Sequence, residues 1–233
     1  MDQNTALPAI PAGPIGLELA RRCFQAAAHA DIPTALSLYK RAMVLEPRLV
    51  DAYLSLGIRQ QQEKPQDAIA AFTRTLVLAP ATIEARGNLA NLLYRLGAID
   101  KAEAHYRQAV RNKPDLPQLH TNYGAILRRQ GRLDTAVSSY RRALMVDPAY
   151  ADALGNLGNI LNGWGKPADA LTLFWRMARI NPTDSMAQNR IGDSLNRLEH
   201  PKRALPYHAR ALALDPGSPD ILNSLGATLQ AAG

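Results

Sequence analysis

The chain has 233 residues and a formal charge of +7, with 47% apolar and only 6% aromatic residues. That length suffices for one or two domains, and the positive balance admits an anionic partner without bearing on fold. No uncharged apolar run approaches the about 18 residues of a membrane span, and the single cysteine, Cys23, excludes an internal disulfide.

The N-terminal stretch MDQNTALPAIPAGPIG carries Asp2, three prolines and two glycines and no basic segment. It is not a secretory signal, and residues 1–15 are expected to be a short disordered lead. With one cysteine and no such signal, the expected location is cytoplasmic. Beyond the lead, valine and isoleucine are sparse and no alternating run occurs, which argues against a sheet.

A repeat governs the rest of the chain. Prolines recur at Pro47, Pro80, Pro114, Pro148, Pro182 and Pro216, spaced 33 and then 34 residues apart. Twelve residues before each stands an alanine: Ala35, Ala68, Ala102, Ala136, Ala170 and Ala204. Four residues after each alanine comes a ring: Tyr39, Phe72, Tyr106, Tyr140, Phe174 and His208. Three further on, the residue is small at Ala42, Thr75, Ala109, Ala143 and Ala211, with Met177 the exception. The phase divides the chain into units 16–49, 50–82, 83–116, 117–150, 151–184 and 185–218, with a partial unit at 219–233.

Each unit predicts two helices. In the fourth, QLHTNYGAILRRQ forms the first, Gly131 the turn and LDTAVSSYRRALMV the second, which Asp147-Pro148 ends because proline cannot continue a helix. Gly97 and Gly165 mark the same turn in neighbouring units. The stretch GNLGNILNGWG, residues 155–165, tests this reading, because four glycines and three asparagines make it a poor helix former. Tertiary packing must supply what propensity lacks.

These features resemble the tetratricopeptide repeat. The period matches, as do the alanine, ring and proline and the small residue near the eighth place (Gly57, Ala90, Gly124, Gly158, Gly192, Gly226). The resemblance covers residues 16–233. It implies an all-α, right-handed superhelical solenoid of antiparallel helix pairs, six full repeats and one half repeat. The first unit departs at Cys23 and Ala30 and the sixth at His208 and Glu199, as terminal units do. The glycine near the eighth place is expected to lie where the two helices of a pair cross.

The resemblance further implies that the first helix of each unit lines a concave groove. Mapped onto this chain, the groove positions hold Asn88, Asn91, Asn122, Asn156, Asn159, Asn162 and Asn189, with Asn196 and Asn223 in register. A carboxamide donates and accepts like a peptide unit, so such a row can hold an extended chain. The phrases GNLANLLYRLG and GNLGNILNGWG are similar to the asparagine-ladder arm of O-linked N-acetylglucosamine transferases. The plainer alternative is descent of these asparagines from one ancestral unit. Arg95, Arg128, Arg129, Arg190 and Arg197 fall on the same face and could grip carboxylates; their plainer role is solubility. The lysines of a chaperone-tail clamp are missing from these positions.

No catalytic or metal-binding constellation is present. The five histidines lack paired-ligand spacing, Cys23 holds a packing position, and the glycines follow the repeat rather than a phosphate loop. No cofactor is expected. Trp164 and Trp175 are expected to fill the core. Basic charge would permit nucleic-acid binding, but Tyr94 is the one obvious stacking ring in the groove, so none is expected. The C-terminal DILNSLGATLQAAG has a glycine, Gly226, at the helix-crossing place and a wide apolar face, which reads as a repeat cut midway. The expected function is a non-catalytic scaffold that binds an extended acidic or polar peptide in the groove. The alternative is the substrate-recruiting arm of a larger glycosyltransferase, sulfotransferase or methyltransferase. Membrane insertion is not expected; association of two copies is compatible with the sequence.

Overall fold

The computed structural model describes residues 14–233, so the expected disordered lead lies almost wholly outside the described residues. Thirteen α-helices and no strand occur among them. They form two compact halves, one ending at Asn112 and the other spanning Lys113–Gly233. The first holds α1 (Pro14–Ala28), α2 (Ile32–Leu45), α3 (Val50–Gln60), α4 (Pro65–Leu78), α5 (Ile83–Arg95) and α6 (Ile99–Asn112). The second holds α7 (Pro117–Arg129), α8 (Leu133–Val146), α9 (Ala151–Gly163), α10 (Pro167–Ile180), α11 (Ser185–Arg197), α12 (Pro201–Leu214) and α13 (Pro219–Ala232). This is the expected all-α helical-repeat fold, with six pairs and a further single helix among the described residues.

Local chemistry starts and stops these helices. Proline opens α4, α7, α10, α12 and α13, where its missing N–H would be unsatisfied anyway. The Asp31 carboxylate accepts from the Thr34 N–H at 3.2 Å, and Asp184 accepts from that of Ala187 at 3.1 Å. At the other end Glu46, Asp147 and Asn181 are extended, the conformation that a following proline imposes.

Within each half every helix packs on the next in sequence. In the second half α7 also touches α9, and α11 touches α13, so the first helices of successive pairs lie side by side. The recurring alanines are fully buried, and so, almost completely, are the six rings. Burying each Phe or Tyr contributes about 1.5–3 kcal/mol.

The ring seat explains the glycines. A Cβ at Gly158 would lie 2.5 Å from Phe174 Cε1. The same clash arises at Gly57 on Phe72, Gly124 on Tyr140 and Gly192 on His208, at 2.5 to 2.7 Å. The ring of the second helix thus rests on bare backbone of the first, and this close crossing holds the weak sequence GNLGNILNGWG in a helix.

The turn between paired helices uses a left-handed residue: Gly97, Gly131 and Gly165 have φ of 80°, 76° and 71°. The sixth pair places Glu199 there at φ 61°, the one non-glycine residue with positive φ among those described. That conformation crowds a Cβ against the following carbonyl.

The two tryptophans correct the sequence reading. Trp164 is 36% and Trp175 42% exposed. Trp164 caps the end of α9 as the chain turns away. Trp175 stands one residue after the buried Phe174, a rotation of about 100° around α10 away from the packed face.

Opposite signs are expected for two glycine substitutions. Gly158→Ala should lower stability by about 1 kcal/mol, because overpacking outweighs the gain in helix propensity. Gly87→Ala, where a Cβ meets nothing within 4 Å, should raise it by about 0.5–1 kcal/mol. Glu199→Gly should also stabilise, by about 0.5–1 kcal/mol. Urea unfolding of the three variants checks all of these.

Candidate functional site

The structure divides the expected asparagine row into two classes. Asn122 on α7 and Asn156 and Asn159 on α9 are half-buried, and their carboxamides make no hydrogen bond among the described residues. In the first half Asn88 on α5 is in the same condition. The other asparagines are engaged. Asn91 accepts from the Tyr106 hydroxyl. Asn162 is buried and donates to Ser194 Oγ at 3.0 Å. Asn189 is buried and accepts from His208 Nδ1 at 2.8 Å. Asn156, Asn159 and Asn162 therefore follow one another along α9, but only the first two offer their amides to solvent.

Of the arginines, Arg95, Arg128, Arg129 and Arg197 are exposed, and Arg190 differs from them. It is half-buried, with its guanidinium carbon 5.9 Å from the centre of the Phe174 ring. Its Nη1 occupies space left by Gly155, where a Cβ would approach to 2.4 Å. Burial lowers its pKa from the ordinary value; Asp184 and Asp193 oppose that shift, Arg128 adds to it, and Asp152 also opposes it. The side chain makes no hydrogen bond or ion pair among the described residues. With Asp152, Asn156, Met177 and Asp184 it lines a cavity of about 320 Å³. A guanidinium with open donors beside a free carboxamide can bind a carboxylate in a forked pair.

A second cavity, about 510 Å³, lies one turn further along α9 and α11. Asn159, Asn162, Gly163, Asp193, Asn196 and Arg197 line it. Behind this wall sits His208, fully buried at the ring position of α12. Its Nδ1 donates to Asn189 Oδ1 at 2.8 Å, and its Nε2 accepts from Asn196 Nδ2 at 3.5 Å, which is the pattern of a neutral imidazole. Asn189 Nδ2 donates to Asp193 Oδ2 and to Ser224 Oγ, both at 3.4 Å, and Asn196 Nδ2 also donates to Thr228 Oγ1. Burial pushes the His208 pKa down, against a weaker upward pull from Asp193.

The first half has a cavity of its own that the groove positions did not indicate. About 470 Å³ in volume, it is lined by Lys40, Met43, Tyr53, Leu56, Gln60 and Arg74 among others. Among the described residues no group of three or more His, Cys, Asp or Glu could hold a metal ion. No described helix is long and apolar enough to cross a membrane.

Comparison with known proteins identifies the repeat. Residues 58–117 match the tetratricopeptide repeat and residues 124–162 match the TPR repeat. Tetratricopeptide repeats thus occupy residues 58–117 and 124–162. No curated protein matches the sequence. Among solved structures, Pseudomonas aeruginosa PilF is 16% identical, with 93% of this chain and 98% of that one aligned at a TM-score of 0.76. A tetratricopeptide-repeat protein from Parabacteroides merdae is 19% identical, with 94% and 88% covered and a TM-score of 0.76. YrrB, described as a TPR protein with an unusual peptide-binding site, is 18% identical, with 80% and 96% covered and a TM-score of 0.62. Identities this low establish the shared fold alone.

In these tetratricopeptide repeats the carbonyl of the recurring proline is pinned by a side chain six residues later. Arg86 donates to Pro80 O at 2.6 Å, His120 to Pro114 O at 2.8 Å and Gln188 to Pro182 O at 3.5 Å. Arg176 reaches Pro148 O from the following pair at 2.6 Å. His120, Arg86 and Arg176 are therefore structural. Sequence reading missed Arg86, His120 and Gln188 because three different residue types do one job; a search for any long donor six residues after each proline would have found these three, though not Arg176, which is 28 positions from its proline.

His208 makes stability pH-dependent. Its folded pKa lies below the unfolded value, so the stabilisation is complete above about pH 6.5 and is lost as pH falls below it. His105, whose pKa burial and Arg86 lower, acts in the same direction. Thermal melts across this range should show the wild type losing stability on acidification. His208→Phe should lose less, and the difference isolates His208.

Proposed function

We propose that the chain is a protein-interaction scaffold that holds an extended peptide segment against its first helices. Tetratricopeptide-repeat proteins are interaction scaffolds, and YrrB, of like fold, is described as having a peptide-binding site. The observation that carries the reading is the set of half-buried carboxamides with no partner, at Asn122, Asn156 and Asn159 in one half and Asn88 in the other. These carboxamides are open to solvent and engaged by no other side chain, so they can exchange water for the polar groups of a ligand. A peptide backbone offers the matching donor and acceptor at each residue.

Arg190 gives the segment a direction of charge. Its cavity suits a carboxylate, from an acidic side chain or a chain end. Arg128, Arg129 and Arg197 in the second half, and Arg95 in the first, are exposed cations that attract an acidic segment at long range. Asn91, Asn162 and Asn189 act differently from the free asparagines: they hold the helices that carry them. Each half thus combines free carboxamides with an inner layer of engaged ones, similar in composition to an asparagine ladder.

Selection of binders from a random peptide array, followed by affinity measurement, tests this. Asn122→Ala with Asn156→Ala should weaken the selected peptides about tenfold or more, the loss of one to two hydrogen bonds, with helicity and melting temperature unchanged. Asn162→Ala should instead lower the melting temperature. Unchanged affinity in the double variant would sink the reading.

A further inference from the structure

The cavity between α9 and α11 contains a carboxylate, Asp193, with no Lys or Arg among the described residues at ion-pair distance; Arg190, one turn back on α11, acts on it only through longer-range charge. The Asp193 side chain is 38% exposed. Its Oδ2 accepts the long bond from Asn189, and its Oδ1 stands 3.9 Å from Nε2 of the neutral His208. Arg197, one turn on along α11, lines the same cavity but is exposed and forms no ion pair. The surroundings are short of donors. Asn196 commits its amide hydrogens to Thr228 and His208, which leaves its Oδ1 buried with no partner. Asn159 contributes a free carboxamide. Buried acceptors without donors are uncommon in folded proteins.

We infer that this cavity is a subsite for a basic side chain, lysine or arginine, of the segment held on the first helices, with Asp193 as its counter-ion. The inference rests on the peptide-binding reading and adds the residue class read at this point. An ammonium brings three donors and a guanidinium five, and neither accepts. Asp193 and the carbonyl of Asn159 supply acceptors on facing walls. Gly163, where a Cβ meets nothing within 4 Å, leaves the entrance open. The neighbouring Arg190 cavity has the opposite preference, so the face reads an acid and a base about one helical turn apart.

The buried histidine ties this subsite to pH. With His208 neutral, Nε2 takes a proton from Asn196 and the Asp193 charge is left to the cavity. Once Nε2 is protonated it can no longer accept; it turns to Asp193 and neutralises the carboxylate from behind. Among the described residues Asp193, on α11, is the charged group that bears on His208. From α13 the network receives only the hydroxyls of Ser224 and Thr228. The cations of α12 itself, Lys202, Arg203 and Arg210, are exposed to solvent.

The test uses the full chain and three capped alanine pentapeptides with a central lysine, glutamate or norleucine. Binding is followed by the side-chain amide resonances of Asn156, Asn159 and Asn196. At about pH 7.5 the lysine peptide should bind about tenfold more tightly than the norleucine peptide, the scale of one charge-assisted contact. Asp193→Asn should abolish that preference, so that the lysine and norleucine peptides bind alike. At about pH 5.5 the preference should shrink in the wild type and persist in His208→Phe. Equal binding of all three peptides, with shifts at Asn156, would overturn the subsite and leave the peptide-binding face standing. A preference for glutamate would show that Arg197 governs the cavity and would overturn the subsite as well. Absence of any shift with all three would overturn both readings.

Discussion

The helix crossing at the glycine seat is the contact on which the rest of the structure depends. In four of the pairs a ring projecting from the second helix lies against a glycine of the first, at a distance that excludes even a methyl group. This closeness buries the ring completely and turns the opposite face of the first helix outward. That outward face carries the candidate binding residues. The seat therefore does two things with one contact: it stabilises a helix of low intrinsic propensity, and it orients the side chains two positions before and one position after the glycine. In α9 Gly158 meets Phe174, while Asn156 and Asn159 emerge on the free side.

The same geometry accounts for the behaviour of the sixth pair. His208 stands where the other pairs have a phenyl or phenol ring and has the shape to fill the seat of Gly192. Unlike phenylalanine, it brings two nitrogens into a dry site. Both must be satisfied, and Asn189 and Asn196 do so from the facing helix. The asparagines of α11 are thereby drawn inward, and Asp193 beside them faces the cavity with no Lys or Arg among the described residues at ion-pair distance. One ring substitution converts a stretch of binding face into a buried polar network with a titratable centre.

Arg190 follows from a second absence of side chain. Gly155 does not seat a ring; it leaves room for a guanidinium that packs on Phe174 and retains open donors. A half-buried cation with aromatic backing and nearby acids is electrostatically tolerated, and its remaining donors point to an anionic ligand. The arginines of the outer helices serve another purpose: Arg176 and Arg210 tie each pair to the proline turn before it. Chain-wide positive charge thus has separate local origins, only some of them related to binding.

The sequence by itself determined the repeat period, the helix pairs, the turns and the residues that pack. Each of these is set by local chemistry recurring in phase: proline stops, left-handed turn glycines, and apolar residues at helical spacing. Glu199 and Trp175 show the edge of that legibility, the first keeping the turn without glycine and the second lying one step off the packed face. Only the tertiary structure decided which asparagines are available. Asn156 and Asn162 are six residues apart, about 120° around α9, so periodicity turns them toward different neighbours but does not say which neighbour offers a partner. The difference is that Ser194, from the next pair, reaches Asn162, and no residue reaches Asn156. Likewise Tyr106 occupies Asn91, and His208 and Ser224 occupy Asn189. Whether a carboxamide is free depends on side chains 15 to 35 positions away in the chain, and helical periodicity has no access to that distance.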